Sequence, residues 1–201
     1  MKGLTFVYAV HDNLYINLTN RCPCSCTFCI RNNGDGAYGS DTLWLSREPD
    51  CDEVLAAVKE YDLNNYGEIV FCGFGEPMER PDDVAFIGKE LKRLYGKKIR
   101  LNTNGLGDKI NGRATAHLLE NAVDIVSVSL NSGNADGYNA VTRPKWEDSF
   151  NAMLKFAEDC KKYVPEVIFT AVDVISEKEI NECKVISEKM GIPLRIRSYD
   201  S

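Results

Sequence analysis

The sequence predicts an α/β fold: a partial (β/α)6 TIM-like barrel with an N-terminal β-hairpin extension. Three observations carry that prediction. Strand-like apolar runs at 14–19, 68–73, 99–104, 124–130, 166–175 and 193–199 alternate with helical patterns. That order builds a parallel sheet with right-handed crossovers. One parity of the strands is polar: Asn17 and Thr19; Asn102 and Asn104; Ser127, Ser129 and Asn131; Arg195 and Arg197. The other is apolar: Ile16 and Leu18; Val126, Val128 and Leu130; Leu194 and Ile196. An open sheet covered on both faces would bury the polar set unpaired, at about 1–3 kcal/mol each. A lumen that holds water or a polar ligand removes that penalty. Third, a cysteine loop, "GFGEP", "NTNG" and "LNSG" follow the carboxyl ends of four strands, where ligands sit in such folds.

The elements follow in order. Segments 5–10 and 14–19, separated by "HDN", read as a β-hairpin. A loop with four cysteines comes next, then an insertion at 31–49 in which Tyr38 and Trp44 are either substrate contacts or packing residues. Asp50 and Glu53 form a capping box for a helix over 51–61, with Val54, Leu55, Val58 and Tyr61 on one face. Pro81 opens and Gly96 stops a helix whose apolar face is Val84, Ile87, Leu91 and Leu94. A helix is expected at 112–122. Another, at 146–163, presents Phe150, Met153, Leu154 and Ala157. The last, with a Ser176/Glu179 box, ends at Gly191. One domain over 1–201 is expected from the length.

Composition excludes several classes. The chain is 44% hydrophobic and 27% charged, ordinary for a globular protein. Net charge is −6 and the basic residues are scattered, so no nucleic-acid surface is indicated. No apolar run reaches bilayer length. The start, "MKGLTFVYAV", leads into another alternating segment without a cleavage pattern. No membrane association and a cytoplasmic location are expected. In a reducing compartment the eight cysteines point to metal or redox chemistry before disulfides.

The loop "CPCSCTFC" holds Cys22, Cys24, Cys26 and Cys29. Cys22, Cys26 and Cys29 have the spacing C-x3-C-x2-C. Three thiolates leave one iron of a 4Fe–4S cluster without a protein ligand. Zinc would need a fourth ligand, which Cys24 supplies, but the C-x-C-x-C spacing is tighter than zinc pairs use. Spacing favours the cluster and leaves open both a zinc-binding structural protein and an electron-transfer protein with four cysteine ligands. Cys51, Cys72, Cys160 and Cys183 read as packing residues, His11 as a turn residue and His117 as a helix-surface residue. In "CGFGEP" the glycines permit close backbone approach and Glu76 supplies an acceptor.

On these residues the chain resembles the radical SAM superfamily over nearly its whole length. The likeness rests on the Cys22/Cys26/Cys29 triad with Phe28 before the last cysteine, on Gly75-Glu76-Pro77, and on Ser129 and Asn131. The wording "NLTNRCPCSCTFCIR", "VFCGFGEP", "IRLNTNGL" and "VSLNS" is most similar to the TatD-associated branch. Phe74 departs from the family's GGEP pattern, which puts the local geometry in question. The resemblance implies a 4Fe–4S cluster on the three cysteines. It also implies S-adenosylmethionine (SAM) on the open iron, cleaved reductively to a 5′-deoxyadenosyl radical that takes hydrogen from an unidentified substrate, small molecule or macromolecule. An external electron donor such as flavodoxin or ferredoxin would supply the electron. Gly73, Phe74, Gly75 and Glu76 would then receive the methionyl ammonium, Ser129 and Asn131 the ribose, and Phe28 the adenine. Asn104 would be a further lumen contact. Arg143 and Arg197 would meet the SAM carboxylate or an anionic substrate, the alternative for each being an ion pair. Asp173 would face the lumen or cap a strand end.

Overall fold

The computed structural model describes residues 2–199. Its sheet runs in sequence order, β1(Val7–Val10), β2(Asn13–Ile16), β3(Glu68–Phe71), β4(Lys98–Thr103), β5(Ile125–Ser129), β6(Glu166–Val172) and β7(Leu194–Arg197). β1 and β2 form the expected antiparallel hairpin, and every later neighbour is parallel. β1 and β7 are the two edges, so the barrel is partial.

The strand parities divide as their chemistry requires. Leu14, Ile16, Ile69, Phe71, Ile99, Leu101, Val126, Val128 and Phe169 point outward and are fully or almost fully buried. Against them lie the amphipathic helices α1(Cys51–Lys59), α2(Pro81–Tyr95), α5(Ser149–Cys160) and α6(Glu177–Met190). Both expected capping boxes form, at Asp50/Glu53 and Ser176/Glu179, and Gly96 and Gly191 end their helices in the left-handed conformation. Edge strand β7 is the exception, since Ile196 on its outer face is exposed.

Three features differ from expectation. The helix expected at 112–122 is absent. A short helix α3(Gly107–Asn111) ends at Gly112, and only a 3-10 turn, Ala116–Leu119, follows. The Thr115 N–H and hydroxyl both donate to Asp108, which folds the segment back on α3. Conversely, "NADGYNAVT" is helical as α4(Ala135–Thr142), although Asp136-Gly137 looks like a turn. Its helix is set by the Asn134 cap and by Tyr138, buried on Phe150. Finally, β2, β3 and β6 end sooner than their apolar runs suggest. Beyond Ile16, Asn17 and Thr19 turn to bonds outside the strand ladder.

Candidate active site

The site is built where β2 to β5 release their chains. Past β2, the cysteine loop lies antiparallel along the end of α4: Ser25 N–H donates to Thr142 O, Thr27 N–H to Val141 O, and Lys145 N–H to Pro23 O. Cys24 is buried at this crossing, with Asn104 Nδ2 at 3.8 Å from its sulfur. Its thiol interacts with those of Cys22 and Cys26. That contact holds both of these below the ordinary thiol value and pushes Cys24 far up. Cys22 and Cys29 line the mouth of the barrel cavity, and Cys26 lines the rim beside Cys29. Arg31 Nε stands 3.3 Å from Cys29 Sγ, and its guanidinium lies over the Trp44 ring. All eight cysteines are free thiols.

Past β3, the chain 73–76 passes the end of β2 at contact distance. A Cβ on Gly73 would fall 2.2 Å from Asn17 Oδ1, and one on Gly75 would fall 2.2 Å from the Thr19 carbonyl. Glycine at both places is therefore what lets the strands release side by side. Glu76 N–H donates to Arg21 O and fixes the cysteine loop to this turn. The Glu76 carboxylate is buried. Oε1 accepts from Thr103 Oγ1 at 2.7 Å and Met78 N–H at 3.0 Å, and Oε2 from Asn104 N–H at 2.7 Å. Burial outweighs these donors and pushes the acid up to about 7.

Phe74 does not distort this turn. It is buried edge-on against Trp44, ring centres 5.1 Å apart, in an apolar cluster with Tyr8, Val10, Ala37 and Leu43. The insertion at 31–49 supplies Ala37, Leu43 and Trp44 to that cluster. Polar side chains after β2 hold the insertion down. Asn17 Nδ2 donates to Leu43 O, Asn20 makes two bonds with the Leu45 backbone, and Thr19 Oγ1 donates to Glu48. This corrects the reading of Asn17 and Thr19 as lumen residues; they anchor the insertion.

The cavity measures about 540 Å³, within the range of small-molecule sites. It gathers Gly73, Phe74, Gly75, Glu76, Asn104, Ser129 and Arg197 from the expected set, together with Cys22 and Cys29. Phe28 lines an adjoining space beside Tyr8, Tyr38 and Phe74. Two expected residues lie elsewhere. Asn131 is not on the cavity wall. It is buried with a left-handed φ of 55°, its Oδ1 without a partner. The chain turns there, so strand parity no longer aims the side chain. Arg143 caps α4 and faces an outer groove with Cys26, Cys29, Arg31 and Trp44. Asp173 is a strand-end residue that accepts from Tyr199 N–H. The parity argument did not single out Tyr15, Arg100 and Thr103, although Tyr15 and Arg100 share the inward parity of their strands.

Residues 16–184 match the family model described as the radical SAM superfamily. The chain belongs to the radical SAM superfamily. GTP 3',8-cyclase of Clostridium perfringens is 31% identical over 134 residues, 66% of this chain and 38% of that protein. Molybdenum cofactor biosynthesis protein moc-5 of Caenorhabditis elegans is 27% identical over 176 residues, 88% of this chain and 27% of its own length. The chain thus spans well under half of these relatives. Streptococcus suis SuiB bound to S-adenosylmethionine superposes with a TM-score of 0.70 at 16% identity, over 95% of this chain and 43% of that one. Native anSMEcpe with bound AdoMet gives 0.66 at 23% identity, over 92% and 51%. These likenesses establish a shared partial-barrel fold.

The radical SAM family uses a 4Fe–4S cluster and SAM. The donor set fits them. Cys22 and Cys29 line the cavity with the glycine turn, and Cys26 lines the adjoining groove beside Cys29. Among the described residues, no three His, Cys, Asp or Glu side chains close around a single ion. A cluster is a larger body, whose ligands stand farther apart.

Proposed function

We propose that this chain is a single radical SAM core domain, that Cys22, Cys26 and Cys29 hold the cluster, and that SAM occupies the mouth of the cavity. The observation that carries this reading is the continuity of one cavity from Cys22 and Cys29 to Gly73–Glu76 and Ser129. When bound, the cluster and SAM supply the radical that takes hydrogen from the substrate. The chain's own residues do the positioning. The 73–75 backbone receives the methionyl ammonium, with Glu76 as the nearby carboxylate. Ser129 meets the ribose, Phe28 packs beside the adenine, and Asn104 bridges the cysteine loop and the cavity. Arg197 is the cavity cation within reach of the SAM carboxylate. Cys24 is a buried spacer and not a ligand. Trp44 and Phe74 exclude water from one side of the mouth.

An external one-electron donor of the flavodoxin or ferredoxin kind completes the reaction, in the cytoplasm. No helix among the described residues is long and apolar enough to cross a membrane. We propose the TatD-associated branch from the wording "NLTNRCPCSCTFCIR", "VFCGFGEP", "IRLNTNGL" and "VSLNS".

Anaerobic reconstitution tests the reading. The expected result is about four irons per chain, SAM binding by equilibrium dialysis, and 5′-deoxyadenosine on reduction. A fully clustered protein that neither binds nor cleaves SAM overturns it.

A further inference from the structure

We propose that the barrel lumen binds the carboxylate or phosphate group of a small substrate, held by Arg100 of β4 and Arg195 of β7, which line one cavity. The proposal takes the word substrate from the radical SAM reading; the anion site itself rests on the lumen alone.

The first observation is charge. The whole chain is acidic, at −6, yet three arginines face this one cavity. Of the carboxylates on the same wall, Glu68 pairs with Arg100 at 3.0 Å, and both Glu76 oxygens already accept bonds from Met78, Thr103 and Asn104. Among the described residues, Arg195 and Arg197 have no carboxylate partner. A concave wall with a surplus of one sign focuses field lines and collects the opposite ion, even on a protein whose net charge repels it.

The second observation is unmet hydrogen bonding. The Arg100 side chain is 13% exposed, and Glu68 meets its Nη2. Its Nε is buried with no partner. A buried donor left unpaired is destabilising. Such an unpaired group calls for an explanation, and Arg100 is one of the residues lining the cavity. With Nη2 held by Glu68, Nε and Nη1 are the guanidinium donors left for an oxygen of a carboxylate or phosphate. The Asn102 amide lies on the same wall, and its Oδ1 is also buried and unpartnered. It can accept from a hydroxyl or amine beside the anionic group.

The third observation is Tyr15 of β2, in register with Arg100 across β3 and lining the same cavity. Burial raises its phenol, Cys72 adds to the rise, and Arg100 and Arg197 pull the other way. Both guanidiniums therefore act on the space in front of this ring. The phenol keeps its proton there and serves as a further donor to an anion.

Size limits the occupant. The cavity of about 540 Å³ must also hold SAM at its mouth, which leaves room for a small molecule or one anionic group of a larger one.

Titration of the reconstituted, SAM-loaded protein by calorimetry tests this, with inorganic phosphate, pyrophosphate and succinate as separate probes. Binding of a phosphate probe or of succinate, near one per chain, is expected, and which probe binds identifies the class. Arg195→Gln and Arg100→Gln should each weaken it by about tenfold or more, the equivalent of one charge-assisted hydrogen bond. Arg195 is exposed, so its replacement spares the fold. The double variant Arg100→Met/Glu68→Met removes both partners of the buried pair and guards against misfolding. Arg113→Gln, on the outer surface beside Asp82, should leave probe binding unchanged.

The proposal is overturned if no probe binds, or if binding ignores Arg100 and Arg195. SAM binding is read in the same samples. SAM bound without any probe refutes the anion site and spares the radical reading. A probe bound without SAM refutes the radical reading and keeps the anion site.

Discussion

Glu76 satisfies three protein donors with two oxygens, so its first role is to join the ends of β3 and β4. Glu76→Gln places an NH2 group against at least one of those donors. A stability loss of about 1–3 kcal/mol is expected in urea unfolding. Its titration has a definite sign. The acid sits near 4.5 in the unfolded chain and near 7 in the folded one. Between those values the native state binds more protons, so the Glu76 contribution to stability falls as pH rises through that window and is constant above it. An ammonium nearby reverses the burial effect. SAM should therefore bind with proton release below about pH 7 and more tightly as pH rises to that value. Calorimetry in two buffers of different ionisation enthalpy at pH 6.5 reads the released proton directly. Cys24→Ala is expected to retain the cluster, whereas Cys22→Ala, Cys26→Ala and Cys29→Ala lose it, measured as iron and sulfide per chain. Loss of iron in Cys24→Ala would instead fit a four-cysteine electron carrier.

At the scale of elements, the insertion at 31–49 is the part whose placement the sequence did not reveal. Periodicity exposes helices such as α2 because burial repeats along one face. Nothing periodic marks an insertion held by Asn17, Thr19 and Asn20, whose bonds go to backbone and Glu48 far along the chain. Strand parity made these residues look like the rest of the polar wall. The same argument placed Asn102, Ser127, Ser129 and Arg197 correctly, because β4, β5 and β7 stay regular through them. It failed at Asn131, one turn beyond β5, where φ changes sign. The glycine pair was legible as a close approach, but its neighbour was visible only in three dimensions. Asn20→Ala should remove both bonds to Leu45, at about 1–3 kcal/mol. Hydrogen exchange at residues 43–46 should accelerate, while the α2 amides stay as protected as before. Unchanged exchange at 43–46 would mean that Asn20 does not anchor the insertion.

At the scale of the whole molecule, the main core lies between the outward strand faces and the helices. Cys22 and Cys26 only pack against its margin. Removing iron from reconstituted protein with a chelator should therefore bleach the cluster absorption and leave the far-ultraviolet dichroism of the sheet and helices intact. Collapse of the dichroism on iron removal would show that the cysteine loop helps to fold the barrel. One consequence follows from the partial closure. β7 and the β1–β2 hairpin are not paired, but past β7 the Tyr199 hydroxyl hydrogen-bonds to Asn33, just after the cysteine loop. A typical hydrogen bond contributes about 0.5–1.5 kcal/mol, within a few multiples of thermal energy. The seam beside Arg197 is thus latched by two side-chain hydrogen bonds that water can replace, and the barrel wall is also a side door.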